Sequence, residues 1–552
     1  MSVTYYGIYL SYPPQVDLRH EGLGRHLAAF LKGTSGRTDV RFILVCPSWS
    51  KRNLEDLFAS EGVLKEQFEV VSPGKEPLIL RFYSFYLAYK ARPRNKGFAQ
   101  WLAEATAGLY NKVVEYVEHR FVTMNSVFEL LPFVILGGAG LLLAVMLSPL
   151  LLLTFPYILI KRGVSFFKVS IRRFLRRGRA LKISLGTPKE DAFILRLYQG
   201  MERVESERML LLINKLSKVK AWYSPTAFWP AFNKISAPRL MCVPDVVLSD
   251  FPVGFSGERR FVKAFGDLEE AIHAGQHFVT YSGAVKWGTL VDKYSVHASN
   301  VSVIHHAPNK LDRFFDFKSS GPVDAISHHY ALKLFSDALK KSVNTDYASG
   351  FSSEGCRFIF YASQFRPNKN IISLLRAYEY LLRNRYVSHK LVMTGNPNVL
   401  PEIGQFIREH SLENDVLCLH GLTLQELAAC YKLADLAVNP TLSEGGCPFT
   451  FTEALSVGTP VVMSCIPVAE EVIDDPDVQA VTFFDPYDWK KIAECIEFAL
   501  DNLDELLRIQ LPFYKKLDAR TWKDVVNEHV AVLERISRIE HADDEVSNDE
   551  AI

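Results

Sequence analysis

The sequence predicts an α/β protein with doubly wound parallel sheets, and three observations support this prediction. Segments rich in β-formers alternate with amphipathic helical segments over residues 1–76, again over 188–345, and a third time over 346–540. A chain of 552 residues exceeds the size of one hydrophobic core, so two or three domains are expected. The alternation stops between residues 77 and 187. We therefore expect two doubly wound domains, the first of which carries an insert.

The composition is that of a globular protein without a general affinity for nucleic acid. Hydrophobic residues make up 48% and charged residues 23% of the chain, and the formal net charge is +1. The eight cysteines form no C-x-x-C pair, which indicates neither a zinc site nor a disulfide framework and favours a reducing, cytoplasmic setting. The first ten residues lack a basic segment, so no signal peptide is expected.

The first predicted strand, Val3–Leu10, leads to a Gly-x-Gly turn, and further strands are predicted at Val40–Cys46 and Phe68–Ser72. Gly22 and Gly24 form this turn and open a helix. Glycine lets the backbone approach a diphosphate, and the free N–H groups of a helix start bind anions. The turn is therefore a candidate phosphate site, with a plain tight turn as the alternative.

The insert at 77–187 has the composition of a membrane-associated segment. Its residues 130–160 contain no charged side chain. The length of this run exceeds the roughly 20 residues that span a bilayer. Residues 161–182 follow with nine lysines or arginines and no acidic residue, and their apolar side chains recur at helical spacing. This pattern predicts a basic amphipathic helix on an anionic leaflet, with a solvated basic helix as the alternative.

Topology restricts how this insert meets the membrane. Both of its ends connect to one domain, so both must lie on the same side, and two full crossings need about 40 apolar residues. We therefore expect residues 130–160 to form a short hairpin or re-entrant element. The basic flank predicts that it enters and leaves on the cytoplasmic face of the inner or plasma membrane.

Two cations stand at a strand-to-helix turn in the second domain. Arg366 and Lys369 follow the predicted strand Arg357–Ala362 and precede a helical segment. Arginine and lysine at such a turn suit a diphosphate, whose charge they neutralise. Surface charges at a helix start are the alternative. The chain is predicted to end in a helix up to Ile539 and an acidic, disordered tail at 541–552.

A glycine-rich loop feeds a helix between residues 440 and 462. The loop carries Glu444, Gly446 and Pro448, and the predicted helix carries Glu453 in its first turn, where the helix dipole favours a carboxylate. The unpaired N–H groups of such a helix start bind anions. Backbone groups for a phosphate and carboxylates for hydroxyls together suit a phosphorylated sugar.

These stretches resemble the donor-binding motifs of retaining GT-B glycosyltransferases of family 4, the glycosyl transferases group 1. The family has a glutamate, seven residues, and a second glutamate followed by A-(L/M)-x-x-G-x-P-V-(V/I), which this chain matches from Glu453 onward as EALSVGTPVV. Eight residues separate Glu444 from Glu453, and Gly445 stands at the family spacing. Residues 22–26, GLGRH, and 364–369, QFRPNK, match two further family motifs.

The resemblance implies the GT-B fold, with two Rossmann-like domains facing a cleft, and it implies roles for residues of this sequence. The catalytic candidates are Glu444, Arg366 and Lys369. The implied donor-binding residues are Gly22, Gly24, Gly395, Gly446, Cys447, Pro448 and Glu453. The acceptor-side candidates are polar groups at strand ends, Asp245, His305 and His306. For the two histidines, a purely structural role is the alternative.

The implied reaction moves a hexose, such as mannose, from a UDP- or GDP-linked donor to an acceptor hydroxyl. The membrane-associated insert predicts that the acceptor is lipid-linked or a growing glycan in surface polysaccharide or glycoconjugate synthesis. The resemblance implies retention of configuration and no metal or other cofactor. Two rival functions stay open. One is a non-catalytic, membrane-docked subunit of a glycan assembly complex, and the other is a nucleotide-sugar epimerase. The sequence leaves the sugar, the base, the acceptor and the oligomeric state undetermined.

Overall fold

The computed structural model describes residues 3–14, 16, 18, 22–80, 193–251, 259–317, 323–342, 356–446 and 448–549. The predicted apolar hairpin at 130–160 and the predicted basic helix at 161–182 lie outside these ranges. Within them, no helix is both long and apolar enough to cross a membrane.

The first domain is built on seven parallel strands in the order β3-β2-β1-β4-β5-β6-β7. The strands are β1 Thr4–Tyr9, β2 Val40–Val45, β3 Phe68–Val71, β4 Val219–Ser224, β5 Arg239–Cys242, β6 His277–Thr280 and β7 Val301–Val303. The predicted first three strands are confirmed to within one residue at each end. The order reverses between β1 and β4, and ligand crevices form outside the carboxyl ends of strands at such a point.

Helices cover both faces of this sheet. They are Gly22–Gly33, Lys51–Ser60, Phe193–Ile213, Val247–Asp250, Arg259–His273 and the π-helix Val285–Val291. Successive side chains of a strand point to opposite faces of the sheet, so alternate residues pack into two cores, one on each face. Ile8 packs with Phe30 of the first helix, whereas Tyr9 packs with Met209 on the opposite face.

The second domain is built on six parallel strands in the order β10-β9-β8-β11-β12-β13. The strands are β8 Phe358–Ala362, β9 Lys390–Thr394, β10 Val416–Leu419, β11 Leu436–Asn439, β12 Val461–Ser464 and β13 Phe483–Phe484. The helices are Val323–Leu339, Ile371–Asn384, Pro401–Glu409, Leu424–Leu433, Phe449–Ser456, Pro467–Val472, Pro476–Thr482, Trp489–Asp501 and Leu503–Asp518. The predicted doubly wound architecture in two domains is confirmed.

The boundary between the domains differs from the predicted one at residue 345. Ala307 still packs in the core of the first domain, but Leu311 and Phe315 belong to the core of the second. The helix Val323–Leu339 packs there as well, through Phe335 stacked on Phe358 with ring centroids 5.2 Å apart. The chain therefore changes domain between residues 307 and 311, because the apolar side chains that follow find their partners in the second core.

The terminal helix Trp522–Asp549 corrects two predictions. It returns to the first domain and buries Val526, Val530 and Leu533 against that core, so the second domain does not extend to residue 540. These positions recur at i, i+4 and i+7, the spacing of one helix face. The helix also continues through residues 541–549, which the sequence predicted to be disordered. No glycine or proline interrupts it.

The flanks of the insert meet on the first domain. Ile79, at the start of the insert, packs with Trp49, Leu197 and Met201. Leu197 and Met201 lie on the helix Phe193–Ile213 that follows the insert. Both flanks are therefore anchored in one small apolar cluster, as the topological argument required.

Candidate active site

A cleft separates the carboxyl ends of the two sheets and holds a cavity of about 1780 Å³. One wall comes from the first domain and the other from the second. The first wall includes Arg25, Phe228, Asp245 and Val247, and the second includes Gln364, Arg366, Lys369, Gly395 and Glu453. The cleft thus brings together residues from turns that lie hundreds of positions apart in the chain.

Lys369 and Glu444 are ion-paired at this cleft. Lys369 ends the short 3₁₀ helix Pro367–Lys369 after β8, and its Nζ lies 2.5 Å from Oε1 of Glu444. The next residue, Asn370, adopts φ 54°, a left-handed conformation that asparagine tolerates well, and turns the chain into the following helix. The guanidinium of Arg366 donates to Oε1 of Gln364 at 2.9 Å and lines the cavity. The structure therefore brings all three catalytic candidates to one place.

Asn368 fixes the loop that carries Glu444. The N–H of Leu442 donates to the Asn368 carbonyl oxygen at 2.8 Å, and the Asn368 side chain donates to the carbonyl oxygen of Ser443 at 3.3 Å. Asn368 is itself buried between the two cationic candidates. Its contacts hold the Glu444 carboxylate beside Lys369.

Gly445 and Gly446 bring this loop against the first domain. A Cβ on Gly445 would lie 1.7 Å from the Pro244 carbonyl oxygen, and one on Gly446 would lie 2.7 Å from Cδ2 of His306. The Ser282 hydroxyl also donates to the Gly445 carbonyl oxygen at 3.2 Å. The position at the strict family spacing, Gly445, therefore has no room for a side chain, and Glu444 supplies the carboxylate.

Asp245 faces the same charged cluster from the first domain. Burial raises its pKa from 3.8 to about 6, and the nearby Glu444 carboxylate adds to this rise, while Lys369 and Arg366 oppose it. Asp245 makes no hydrogen bond or ion pair with another residue of the described ranges. It presents a carboxyl group to the cavity that titrates close to neutral pH.

Glu453 lies in the second turn of the helix Phe449–Ser456, not in its first turn as predicted, because the helix already begins at Phe449 after the N-cap residue Pro448. Its side chain is buried, accepts a hydrogen bond from the Asn309 amide at 3.3 Å, and lies 3.9 Å from Nη1 of Arg25. Burial raises the pKa of this carboxyl, and Arg25 opposes the rise. Glu453 therefore lines the cavity between groups of both domains.

The glycine candidates differ in how closely their neighbours approach. A Cβ on Gly24 would lie 2.0 Å from the carbonyl oxygen of Leu18, and one on Gly395 would lie 2.3 Å from the Phe365 ring. Nothing lies within 4 Å of the equivalent position on Gly22, which opens the helix Gly22–Gly33. Gly24 and Gly395 are thus required by packing. Cys447 lies outside the described residues.

His305 and His306 are not among the residues that line this cavity, and their assignment to the acceptor side stays a prediction. His306 is enclosed with Tyr281 and His26, and its ring centroid lies 3.7 Å from that of Tyr281. Burial holds its pKa well below the ordinary value. His305 points instead towards Glu471, with Nε2 3.7 Å from Oε1. The Gly446 backbone packs against the His306 ring.

Sequence reasoning missed two contacts of the site. Arg25 stands in the G-x-G-R-H motif, but its approach to Glu453 depends on how the domains face each other. Glu471 accepts hydrogen bonds from the N–H groups of Gly283 at 2.7 Å and Ala284 at 2.9 Å, and so connects the second domain to the first. No sequence motif marked this glutamate.

Comparison with known proteins agrees with this geometry. The family model described as glycosyl transferases group 1 matches residues 344–510. Residues 344–510 thus resemble a glycosyl transferases group 1 domain, within a chain that has the GT-B fold. Over the whole length, the fold resembles a glycosyltransferase from Rickettsia africae, at TM-score 0.50 and 12% identity, covering 97% of this chain and 99% of that one. It also resembles the N-terminal domain of a trehalose-6-phosphate phosphatase from Candida albicans, at TM-score 0.53 and 12% identity, covering 97% of both chains.

Two curated relatives are mannosyltransferases. The MMP alpha-(1->4)-mannosyltransferase of Mycolicibacterium hassiacum is 31% identical over 185 residues, which cover 33% of this chain and 44% of the relative. The O-antigen chain mannosyltransferase RfbU of Salmonella typhimurium is 24% identical over 240 residues, which cover 43% of this chain and 54% of the relative. The chain thus spans about half the length of the curated relatives it matches. The residues matched by the family model, 344–510, include the second-domain side of the site.

Proposed function

We propose that this protein is a retaining glycosyltransferase that moves a hexose, such as mannose, from a UDP- or GDP-linked donor to a glycan or lipid-linked acceptor. The observation that carries the proposal is the convergence of Lys369, Arg366 and Glu444 at the cleft, within the glycosyl transferases group 1 domain. Cations at a strand-to-helix turn suit a diphosphate, and a carboxylate beside them suits a sugar.

In the proposed reaction, the bond between C1 of the donor sugar and the diphosphate oxygen breaks, and the diphosphate keeps the electron pair. The acceptor oxygen bonds to C1 on the face that the diphosphate leaves, and the acceptor proton passes to the departing diphosphate. Arg366 and Lys369 stabilise the negative charge that develops on the leaving group. Glu444 orients the Lys369 ammonium and faces the positive charge that develops at C1.

We further propose that the reaction needs no metal ion, since two fixed cations already face the diphosphate position. Across the described residues, no group of three or more His, Cys, Asp or Glu side chains lies together where it could hold a metal ion. Metal independence itself stays a prediction, and activity that survives dialysis against EDTA would support it.

The proposed setting is the cytoplasmic face of a membrane, with the insert at 77–187 beside a lipid-linked acceptor. This part rests on the apolar run at 130–160 and the basic segment at 161–182 alone. Flotation of the full chain with vesicles containing anionic lipid tests it. Protein that stays at the bottom of the gradient would contradict the membrane assignment.

The test of the activity is turnover of a panel of UDP- and GDP-hexoses by the full chain in detergent, followed by NMR. We expect release of the nucleoside diphosphate from one donor and, with a sugar acceptor, a product that keeps the anomeric configuration of the donor. Glu453→Ala should abolish turnover, and Glu494→Ala, at an exposed glutamate paired with Lys491, is the matched control.

Other outcomes identify the rivals. A donor that is isomerised without any acceptor would indicate an epimerase. A donor that binds to the wild type but is never turned over would indicate the non-catalytic subunit.

A further inference from the structure

Phe228 projects from the first-domain wall of the cleft. Its side chain is 37% exposed although it is a large aromatic residue, and it lines the cavity. Its neighbours are anchored, because Ala227 is buried in the core and the Trp229 ring packs edge-on against Tyr12 with centroids 5.0 Å apart. The packed neighbours therefore fix the backbone of Phe228 at the cleft.

Asp245 lies on the same wall. Phe228 follows β4 and Asp245 follows β5, and these strands are paired neighbours whose carboxyl ends reach the cleft together. Adjacent strands lie about 4.8 Å apart, so the two turns that follow them are side by side. The Asp245 carboxyl has no partner among the described residues, and the Pro244–Gly445 contact fixes its backbone beside Glu444.

We propose that Phe228 and Asp245 form a subsite for an uncharged pyranose ring of the acceptor. The Phe228 ring packs on the C–H face of the sugar, and the Asp245 carboxylate accepts a hydrogen bond from one of its hydroxyls. The inference deepens the proposed function and rests on it, since the subsite faces the Lys369–Glu444 pair at which the donor sugar would react.

The chemistry of this wall favours a neutral sugar over other occupants. The first domain also lines the cavity with the apolar Val247 and Ala264. Its charged lining residues Arg25 and Glu61 are ion-paired with Glu453 and Lys32, respectively. An acidic sugar would be repelled by the Asp245 carboxylate, and an acyl or polyprenyl chain would leave that carboxylate buried without a partner. A pyranose offers both an apolar C–H face for the ring and hydroxyl donors for the carboxylate.

The experiment is saturation-transfer NMR on the full chain in detergent, with UDP or GDP present. The probes are methyl α-mannopyranoside, methyl α-glucopyranoside and the methyl glycoside of glucuronic acid. We expect saturation transfer to a neutral glycoside, strongest at its ring C–H protons, and none to the glucuronide. Phe228→Leu should weaken binding of the neutral glycoside roughly tenfold, which corresponds to about 1.4 kcal/mol, and Phe228→Trp should restore it.

The variants separate a binding role from a structural one. Phe228→Leu keeps the apolar volume but loses the ring, and Phe498→Ala, at a half-exposed residue of the other domain, is the matched control. Affinity for the glycoside should rise between pH 5 and pH 7 in the wild type, as Asp245 ionises, and should be independent of pH in Asp245→Asn. If Asp245 had a structural role alone, wild type and Asp245→Asn would show the same dependence of glycoside affinity on pH.

Three results would overturn the inference. If Phe228→Leu binds both the nucleotide and the neutral glycoside as the wild type does, the subsite is wrong while the proposed function stands. If the wild type prefers the glucuronide, the assignment to a neutral sugar is wrong. If the wild type binds no nucleotide and turns over no donor, the proposed function fails first and the inference fails with it.

Discussion

Lys369 and Glu444 form an ion pair of 2.5 Å between two turns that are 75 positions apart in the sequence. The pair is partly buried at the cleft, where Asn368 fixes the loop on one side and Gly445 fixes it on the other. Because both side chains are held by backbone contacts, the pair is positioned before any donor binds. A preorganised charge of this kind stabilises a transition state without reorganisation.

The first prediction concerns Glu444. Glu444→Gln keeps the shape of the side chain but removes its charge, so we expect kcat for donor turnover to fall by about 10²–10³, the usual cost of removing one preorganised group. Glu494→Gln, at the exposed pair with Lys491, should leave kcat unchanged. Steady-state kinetics on the best donor provide the measurement. A Glu444→Gln enzyme with wild-type kcat would show that the pair is structural.

The second prediction concerns Gly445. Gly445→Ala places a Cβ on the Pro244 carbonyl oxygen, so the loop must shift away from the first domain and carry Glu444 with it. We expect activity to fall at least tenfold, while the protein stays folded by circular dichroism. Gly288→Ala is the matched control, because nothing lies within 4 Å of its Cβ position. Equal activity of the two variants would argue against a close contact between the domains at Gly445.

The third prediction concerns the terminal helix. Leu533 is completely buried against the first domain, so Leu533→Ala should lower the free energy of unfolding by about 2–5 kcal/mol. Ile539→Ala, on an exposed position of the same helix, should change it by less than about 0.5 kcal/mol. Urea denaturation of the full chain measures both. Equal values would show that the helix does not pack on this domain.

The fourth prediction is a loss of stability in acid. Burial lowers the pKa of His26 to about 3 and of His529 to about 4, and it holds the pKa of His306 well below 6.5. These histidines are therefore protonated below about pH 6.5 in the unfolded chain, but only near pH 4 or lower in the folded protein. Stability is fully present above pH 6.5 and falls by about 1.4 kcal/mol per pH unit for each histidine. Asp245 has the opposite effect on stability, because its raised pKa lets the folded protein bind one proton more readily than the unfolded chain.

Urea midpoints between pH 7.5 and 5 test this linkage. His529→Leu should flatten the dependence by about one proton. Phe30→Leu should lower stability without changing the slope, because Phe30 touches the His529 ring but does not titrate. A slope that is the same in both variants would contradict the assignment of the lost stability to the buried histidines.

Much of the fold and the centre of the site follow from the sequence alone. Strand periodicity and glycine-rich turns locate the parallel sheets, and the carboxyl ends of parallel strands share one edge. The resemblance to family motifs, rather than this geometry, grouped Arg366, Lys369 and Glu444 as catalytic candidates.

The remaining features depend on partners that no local pattern encodes. The apolar face of the helix Trp522–Asp549 predicts that the helix packs on a core. The pattern does not indicate that this core belongs to the first domain. His306 lies at a strand end, where substrate-binding side chains are common, and the sequence does not show that the Gly446 backbone packs against its ring. Phe228 reads as a core residue, and only its exposure in the cleft distinguishes it.

The most direct test of the central claim is calorimetric titration of UDP and GDP into the wild type, Lys369→Met and Lys491→Met. Lys491 lies on an exposed helix and serves as the matched control. We expect one nucleotide to bind to the wild type and to Lys491→Met with equal affinity, and to bind at least tenfold more weakly to Lys369→Met. Binding of neither nucleotide to the wild type, or equal binding to all three proteins, would contradict a nucleotide-sugar site at the Lys369–Glu444 pair.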